Sequence, residues 1–242
     1  MASARLELSA RSESERGRLR LGAGSTVCQH ILPKVLREFQ QSYPKCVIRL
    51  EPGEYAAQLE GRRSGRIDSA LLLATAGQIS SKFAFTRIFD DELCCVVAPR
   101  PPWAALVIVP RVSVRVETIL ISDKSSQTFR LIEECFREET IFLSNLMEVR
   151  SIEAVRELVK IGLGPGILAR WLVRDQIKSG SLIALPLGSR KIVQSWGSLT
   201  NRGSTWSPPS RPLGLSAFAS PAGLVSRLLT SRPENAVRDS AG

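Results

Sequence analysis

Gly17-Arg-Leu-Arg-Leu-Gly-Ala-Gly-Ser-Thr-Val27 is the stretch on which the reading of this chain turns. Polar and apolar residues alternate from Arg18 to Leu21, as in a strand, and the glycines at 22 and 24 then mark a tight turn. Ser25 and Thr26 follow at the mouth of a helix. Downstream, Ile31, Leu32, Val35, Leu36 and Phe39 recur at helical spacing, with Pro33 tolerated in the early turns and Tyr43-Pro44 as the stop. Working outward, Val47–Leu50 reads as a second strand and Tyr55–Arg63 as a helix entered after Gly53. The run Arg66-Ile-Asp-Ser-Ala-Leu-Leu-Leu73 has the texture of a parallel strand buried on both faces. Strand, helix, strand, helix, strand is an α/β unit.

A second unit of the same kind follows. Strands are expected at Phe89–Ala98 and Ile119–Ser122, and helices at Thr128–Glu138 and Ser151–Gly162, the latter with Ile152, Val155, Leu158, Val159 and Ile161 on its apolar side. Gly166–Leu168 is a strand, Trp171–Ser179 a short helix and Leu182–Leu187 another strand, while Ala105–Glu117 shows no clear helix. From Gly203 onward prolines 208, 209, 212, 221 and 233 punctuate a Ser-rich tail, expected to be irregular apart from a helix near Leu224–Leu229. The order fits two α/β lobes joined by crossing strands.

Composition narrows the function. With 242 residues, 43% of them hydrophobic and 6% aromatic, the chain can build real cores. No apolar run reaches the roughly 18 to 20 residues of a membrane-spanning helix. Met1–Arg20 is a mixture of charged residues and serines without the apolar segment of a signal peptide, so a cytoplasmic protein with no membrane contact is expected. The formal charge of +10 permits an anionic partner. Its basic clusters, Arg16–Arg20 and Arg62–Arg66, lack interleaved aromatics and form no stripe, so direct DNA binding by this chain is not expected. Five cysteines (28, 46, 94, 95 and 135) without a CxxC spacing, and His30 as the single histidine, read as free thiols rather than a zinc site. No cofactor and no metal is expected.

Several motifs invite sharper readings. Gly22–Val27 resembles the opening of a dinucleotide fingerprint but lacks its third glycine. What remains is a Ser-Thr pair at a helix N-terminus, either an anion contact or a plain N-cap. Asp123-Lys-Ser-Ser-Gln-Thr128 offers Ser125, Ser126 and Thr128 in the same two roles before another helix, and Ser151 does so before a third. Gly162-Leu-Gly-Pro-Gly166 reads as a helix-to-strand turn, because Pro165 removes an amide donor and no Gly-Lys-Ser/Thr follows. Asp90, Asp91 and Glu92 read as a solvated charge run. There is no Gly-x-Ser-x-Gly elbow, and Cys28 is the only nominal nucleophile, so an enzyme is not expected.

In this order and at these intervals the segments resemble the effector-binding domain of LysR-type transcriptional regulators. The resemblance runs from Gly17 to about Gly203 and rests on Gly17–Val27, Ile31-Leu-Pro33, Phe39 with Tyr43-Pro44, and Gly65-Arg-Ile-Asp-Ser-Ala-Leu71. It continues through Asp91-Glu-Leu93, Val97-Ala-Pro99, Pro102-Trp-Ala104, Ser151-Ile-Glu-Ala-Val155, Val159 and Gly162-Leu-Gly164. It implies two periplasmic-binding-protein-like α/β subdomains joined by crossover strands, holding a small effector, organic or inorganic and anionic, in the crevice between them. Its effector contacts would be Ser25, Thr26, Ser125, Ser126, Thr128 and Ser151. Arg130 stands one position from the arginine of the family's Gly-Ser-Gly-Thr-Arg, and Glu54 stands where relatives often have a small polar residue.

The implied layout is a linker-helix remnant at 1–16, subdomain I over 17–90, subdomain II over 91–187, a return strand at 188–203 and the tail at 204–242. It also implies homo-oligomers. The family's winged helix-turn-helix has no counterpart before Gly17, and the expectation is a sensor without its own DNA-binding head, for which a frame change near Gly203 or a gene remnant is one account. A solute-binding protein of a transporter shares the fold and is the alternative.

Overall fold

The computed structural model describes residues 18–74, 79 and 81–202, so the expected linker-helix remnant at 1–16 and the tail at 204–242, with its helix near Leu224–Leu229, lie outside the described residues. The described chain divides into two compact α/β units. One holds 18–72, 81–89 and 197–202, and the other 73–74, 79 and 90–196.

In the first unit β1 (Arg18–Ala23) pairs in parallel with β2 (Val47–Pro52) on one side and with β3 (Ser69–Leu73) on the other. Leu19 and Leu21 alternate into the core, as the sequence pattern requires, and β3 is buried throughout. The Arg20 guanidinium grips the Asp68 carboxylate through Nη2 to Oδ1 at 2.6 Å and Nε to Oδ2 at 3.2 Å, and its backbone N–H donates to Oδ2 at 2.8 Å. That two-point pair fixes the entry to β3 against β1 and, overcoming burial that pushes the other way, helps hold the Asp68 carboxyl below the usual carboxylate range.

The early helix is divided. α1 (Ser25–His30) and α2 (Leu32–Ser42) meet at Ile31, whereas the sequence pattern reads as one helix. Pro33, at the start of α2, has no N–H to donate back across the joint, and its ring crowds the preceding turn. Beyond it Leu32, Val35 and Phe39 bury one face, and Tyr43 ends the helix with its ring 4.9 Å from that of Phe39. α3 occupies Tyr55–Arg63.

In the second unit the strand order is β4-β7-β5-β6, from β4 (Phe83–Val97), β7 (Gly166–Ala169), β5 (Ile119–Ile121) and β6 (Leu146–Glu148), with β8 (Ile183–Leu185) also paired to β4. β5 is parallel to β6 and β7, and β7 runs antiparallel to β4. Two helices cover the core: α5 (Gln127–Glu138) through Phe129, Ile132 and Phe136, and α6 (Ile152–Lys160) through Ile152, Val155 and Val159. β4 and β9 (Ile192–Asn201) are neighbours, and each runs through both units.

Ala105–Glu117 is not without helix. A 3-10 turn covers Trp103–Ala105, and α4 (Arg111–Val114) is anchored by the buried Arg111, whose guanidinium bonds Glu139 and the carbonyls of Leu187 and Arg190. One turn fixed by a single buried arginine leaves no periodic apolar pattern. Similarly, the expected helix at Trp171–Ser179 is a 3-10 turn, Arg170–Val173, running into α7 (Arg174–Lys178).

Candidate functional site

The first unit presents its candidate residues where β1 ends. Gly24 has an extended backbone and occupies the N-cap of α1 without a side-chain bond, so Ser25 and Thr26 are not caps but residues of the first turn. Ser25 is exposed and Thr26 half-buried. The loop beneath them is held by Gln58 of α3, whose buried amide donates to the carbonyls of Ala23, Glu51 and Gly53 at 3.3, 2.9 and 3.1 Å. Glu54, the N-cap of α3, is exposed rather than buried.

Cys28 turns its thiol toward the Ala23 carbonyl at 3.7 Å, and burial pushes its pKa up. That is opposite to the shift a nucleophilic thiolate requires. All five cysteines are free, with Cys46, Cys94 and Cys95 buried. Among the described residues no cluster of three or more His, Cys, Asp or Glu side chains suits a metal ion, and no helix is long and apolar enough to cross a membrane.

The second unit brings four of the candidates to two neighbouring strand-to-helix junctions, Ser125, Ser126 and Ser151 on the loops and Thr128 in the first turn of a helix. β5 leads through Ser122–Ser126 into α5, and β6 leads through Val149–Ser151 into α6. Because β5 and β6 are adjacent and parallel, both helix N-termini open from the same edge of the sheet. Backbone bonds from Val149 to Ile121 O and from Arg150 to Ser122 O, at 3.0 and 2.8 Å, tie the loops together, and the Lys124 N–H reaches Glu148 Oε1 at 3.3 Å.

Ser126 caps α5, accepting from the Phe129 N–H at 3.1 Å, and Ser151 caps α6, accepting from the Ala154 N–H at 3.2 Å. Their protons are also used: Ser126 Oγ donates to Asp123 O at 2.8 Å, Ser151 Oγ to Glu153 Oε2 at 3.1 Å and Ser125 Oγ to Asp123 Oδ1 at 2.7 Å. Lys124, Arg130 and Arg150 are exposed around the same loops.

Thr128, half-buried at the second position of α5, leads inward to residues that the sequence did not single out. Its hydroxyl donates to Gln194 Oε1 at 3.1 Å, Gln194 Nε2 donates to Asp91 Oδ2 at 2.8 Å, and the Trp171 indole N–H reaches the same oxygen at 2.7 Å. Asp90–Glu92 is thus not a uniformly solvated run. Strand alternation carries Asp91 to the buried face, while Asp90 and Glu92 point outward to Ser195 and Lys191. Burial raises the Asp91 pKa to about 6 against the opposing pull of its hydrogen bonds from Gln194 and Trp171.

Gly162-Leu-Gly-Pro-Gly166 is a structural turn. Gly162 has a left-handed backbone (φ 82), its N–H bonds Val159 O and that of Leu163 bonds Leu158 O, which closes α6 before β7 begins.

Comparison with known proteins agrees with this architecture. The LysR substrate binding domain family matches residues 12–213. The uncharacterized HTH-type transcriptional regulator YwqM of Bacillus subtilis (strain 168) is 27% identical over 169 residues, which is 69% of this chain and 56% of YwqM. The chain spans a little over half the length of such curated relatives. The reduced form of OxyR superposes with a TM-score of 0.71 at 20% identity, covering 90% of this chain and 98% of that one. The regulatory domain of CcmR from Synechocystis PCC6803, in complex with 2-PG, superposes with a TM-score of 0.68 at 20% identity, covering 79% and 90%. At such identities the likeness establishes the fold, the periplasmic-binding-protein-like α/β fold of LysR regulatory domains.

Proposed function

The chain belongs to the LysR substrate binding domain family, and from that premise we propose that it is the effector-sensing part of a transcriptional regulator. In this reading it works in the cytoplasm, pairs with a second copy, leaves DNA contact to a separate domain and takes up a small organic or inorganic anion. The observation that carries the reading is the pair of helix N-termini, α5 and α6, opening from adjacent parallel strands with their loops bonded to each other. Such ends concentrate N–H donors and the positive ends of two helix dipoles. Lys124, Arg130 and Arg150 stand beside them together with the carboxylates of Asp123, Glu148 and Glu153, Glu148 being 3.7 Å from Arg150. Ser125, Ser126, Thr128 and Ser151 shape this end of the second unit, and Ser25 and Thr26 are the corresponding contacts of the first.

A ligand bound only by the folded chain stabilises it by RT ln(1 + [L]/Kd), about 2.7 kcal/mol at a hundredfold excess over Kd. Thermal unfolding of the chain against carboxylates, amino acids, phosphate and sulfate should therefore reveal at least one compound that raises Tm. A folded chain whose Tm answers to none of them contradicts the reading. The relatives' description as transcriptional regulators favours it over a transporter's solute-binding protein.

A further inference from the structure

Thr128 sits differently from the three serines. Ser125, Ser126 and Ser151 bond only to partners within three residues of themselves, at the entries to α5 and α6. Thr128 bonds to Gln194, which is 2% exposed, and Gln194 bonds to Asp91, which is 9% exposed.

The direction of every proton in this chain follows from chemistry. An indole nitrogen can only donate, so Trp171 requires an acceptor at Asp91 Oδ2. The Glu92 backbone N–H also donates to this carboxylate. With Asp91 acting as acceptor, the Gln194 atom 2.8 Å from the same Oδ2 must be its NH2, because an amide oxygen there would face a carboxylate oxygen with no proton between them. The Gln194 amide oxygen is thereby turned to Thr128. A hydroxyl can satisfy an amide oxygen only by giving it its proton. With its proton given to Gln194, Thr128 Oγ1 has only lone pairs to offer a further partner.

We infer that Thr128 presents a hydrogen-bond acceptor to the effector, and that Asp91, through Gln194, is the positioning residue that fixes this polarity. The proposal rests on the reading of α5 as an effector contact and narrows the effector class. A simple anion, all acceptor, is met favourably by the backbone N–H groups and unfavourably by Thr128. An acid that carries a donor beside its anionic group, such as a hydroxy acid, an amino acid or a singly protonated oxyanion, satisfies both. Sequence alone suggests the opposite polarity, because a threonine in a helix's first turn looks like a donor to an anion.

Two measurements test this. The first needs no ligand. In the isotopically labelled full chain at pH 8, NMR should show the Gln194 side-chain amide protons close to the Trp171 indole proton and remote from the Thr128 methyl. Amide protons directed at Thr128 would overturn the proposal, whatever the chain binds.

The second uses matched acids by calorimetry: malate and aspartate against succinate, lactate and alanine against propionate, and phosphate across pH 5 to 8. The expected result is that at least one donor-bearing acid binds about tenfold or more tightly than its matched partner. Thr128→Val should bring that ratio to near one, and Thr128→Ser should restore it. Asp91→Ala and Gln194→Met should lower the ratio even where they leave the weaker acid's affinity unchanged, which a merely structural role would not do, whereas Asp91→Asn, whose amide oxygen can still accept from Trp171 and Gln194, should keep it. Binding in which the acid without a donor is equal or tighter overturns the polarity assignment and leaves effector sensing intact. Absence of binding by every probe contradicts the effector-sensing reading, while the NMR contacts still decide the polarity.

Discussion

A β-carbon built on Gly22 would lie 1.7 Å from Gln58 Oε1. Gln58 cannot swing aside freely, because its amide nitrogen holds the carbonyls at the ends of β1 and β2. The second glycine of the opening stretch is therefore demanded by close approach of a side chain. Gly22→Ala should destabilise the chain by about 2–4 kcal/mol, read from urea unfolding. In a Gln58→Ala background, where the obstructing side chain is gone, the same change should cost at least about 1 kcal/mol less. Equal costs in the two backgrounds would show that the clash is not the cause.

Asp91 gives the stability a pH dependence of known sign. Its pKa is about 6 in the folded chain against 3.8 ordinarily, so between those values the folded state holds a proton that the unfolded state has lost. Stability from this group is therefore present below about pH 4, declines as pH rises to about 6 and stays level above it. Asp91→Asn removes the effect. The stability of the variant minus that of the parent should increase by about 2–3 kcal/mol between pH 4 and pH 7. A difference that is flat with pH, measured by denaturant unfolding at each pH, would mean that Asp91 titrates normally.

Burial pushes the thiols of Cys94 and Cys95 up to about 12 and raises Cys28, Cys46 and Cys135 as well. Alkylation goes through the thiolate. Iodoacetamide at pH 8 should leave Cys94 and Cys95 unmodified in the folded chain and modify them once the chain is unfolded, as read by peptide mass spectrometry. Rapid modification of Cys28 in the native state would instead mark an activated thiol and reopen the question of catalysis.

The strands and helices of the first unit were legible because local pattern and tertiary role agree there. Leu19 and Leu21 alternate, and Val35 and Phe39 recur at helical spacing, so each buries the face that its spacing foretells. The break at Ile31 and the single turn at Arg111–Val114 were not legible, since one proline and one buried arginine leave no periodic trace. At the candidate site, the capping serines were visible from their place before apolar runs. The Asp91–Gln194–Trp171 cluster was not, because its members are separated by up to 103 residues and only folding makes them neighbours. In sequence, Asp91 looks like one of three adjacent acids, and only the alternation of β4 distinguishes it.

Whether the N-termini of α5 and α6 form an effector contact is read directly by amide NMR of the chain with any compound that raises its Tm. The largest shifts should fall on Gln127 and Thr128 of α5 and on Ile152 and Glu153 of α6. Where that compound carries a hydrogen-bond donor beside its anionic group, Thr128→Val should weaken its binding by about tenfold. Shifts confined to other surfaces, with those four amides unmoved and the Thr128→Val affinity unchanged, would contradict such a contact.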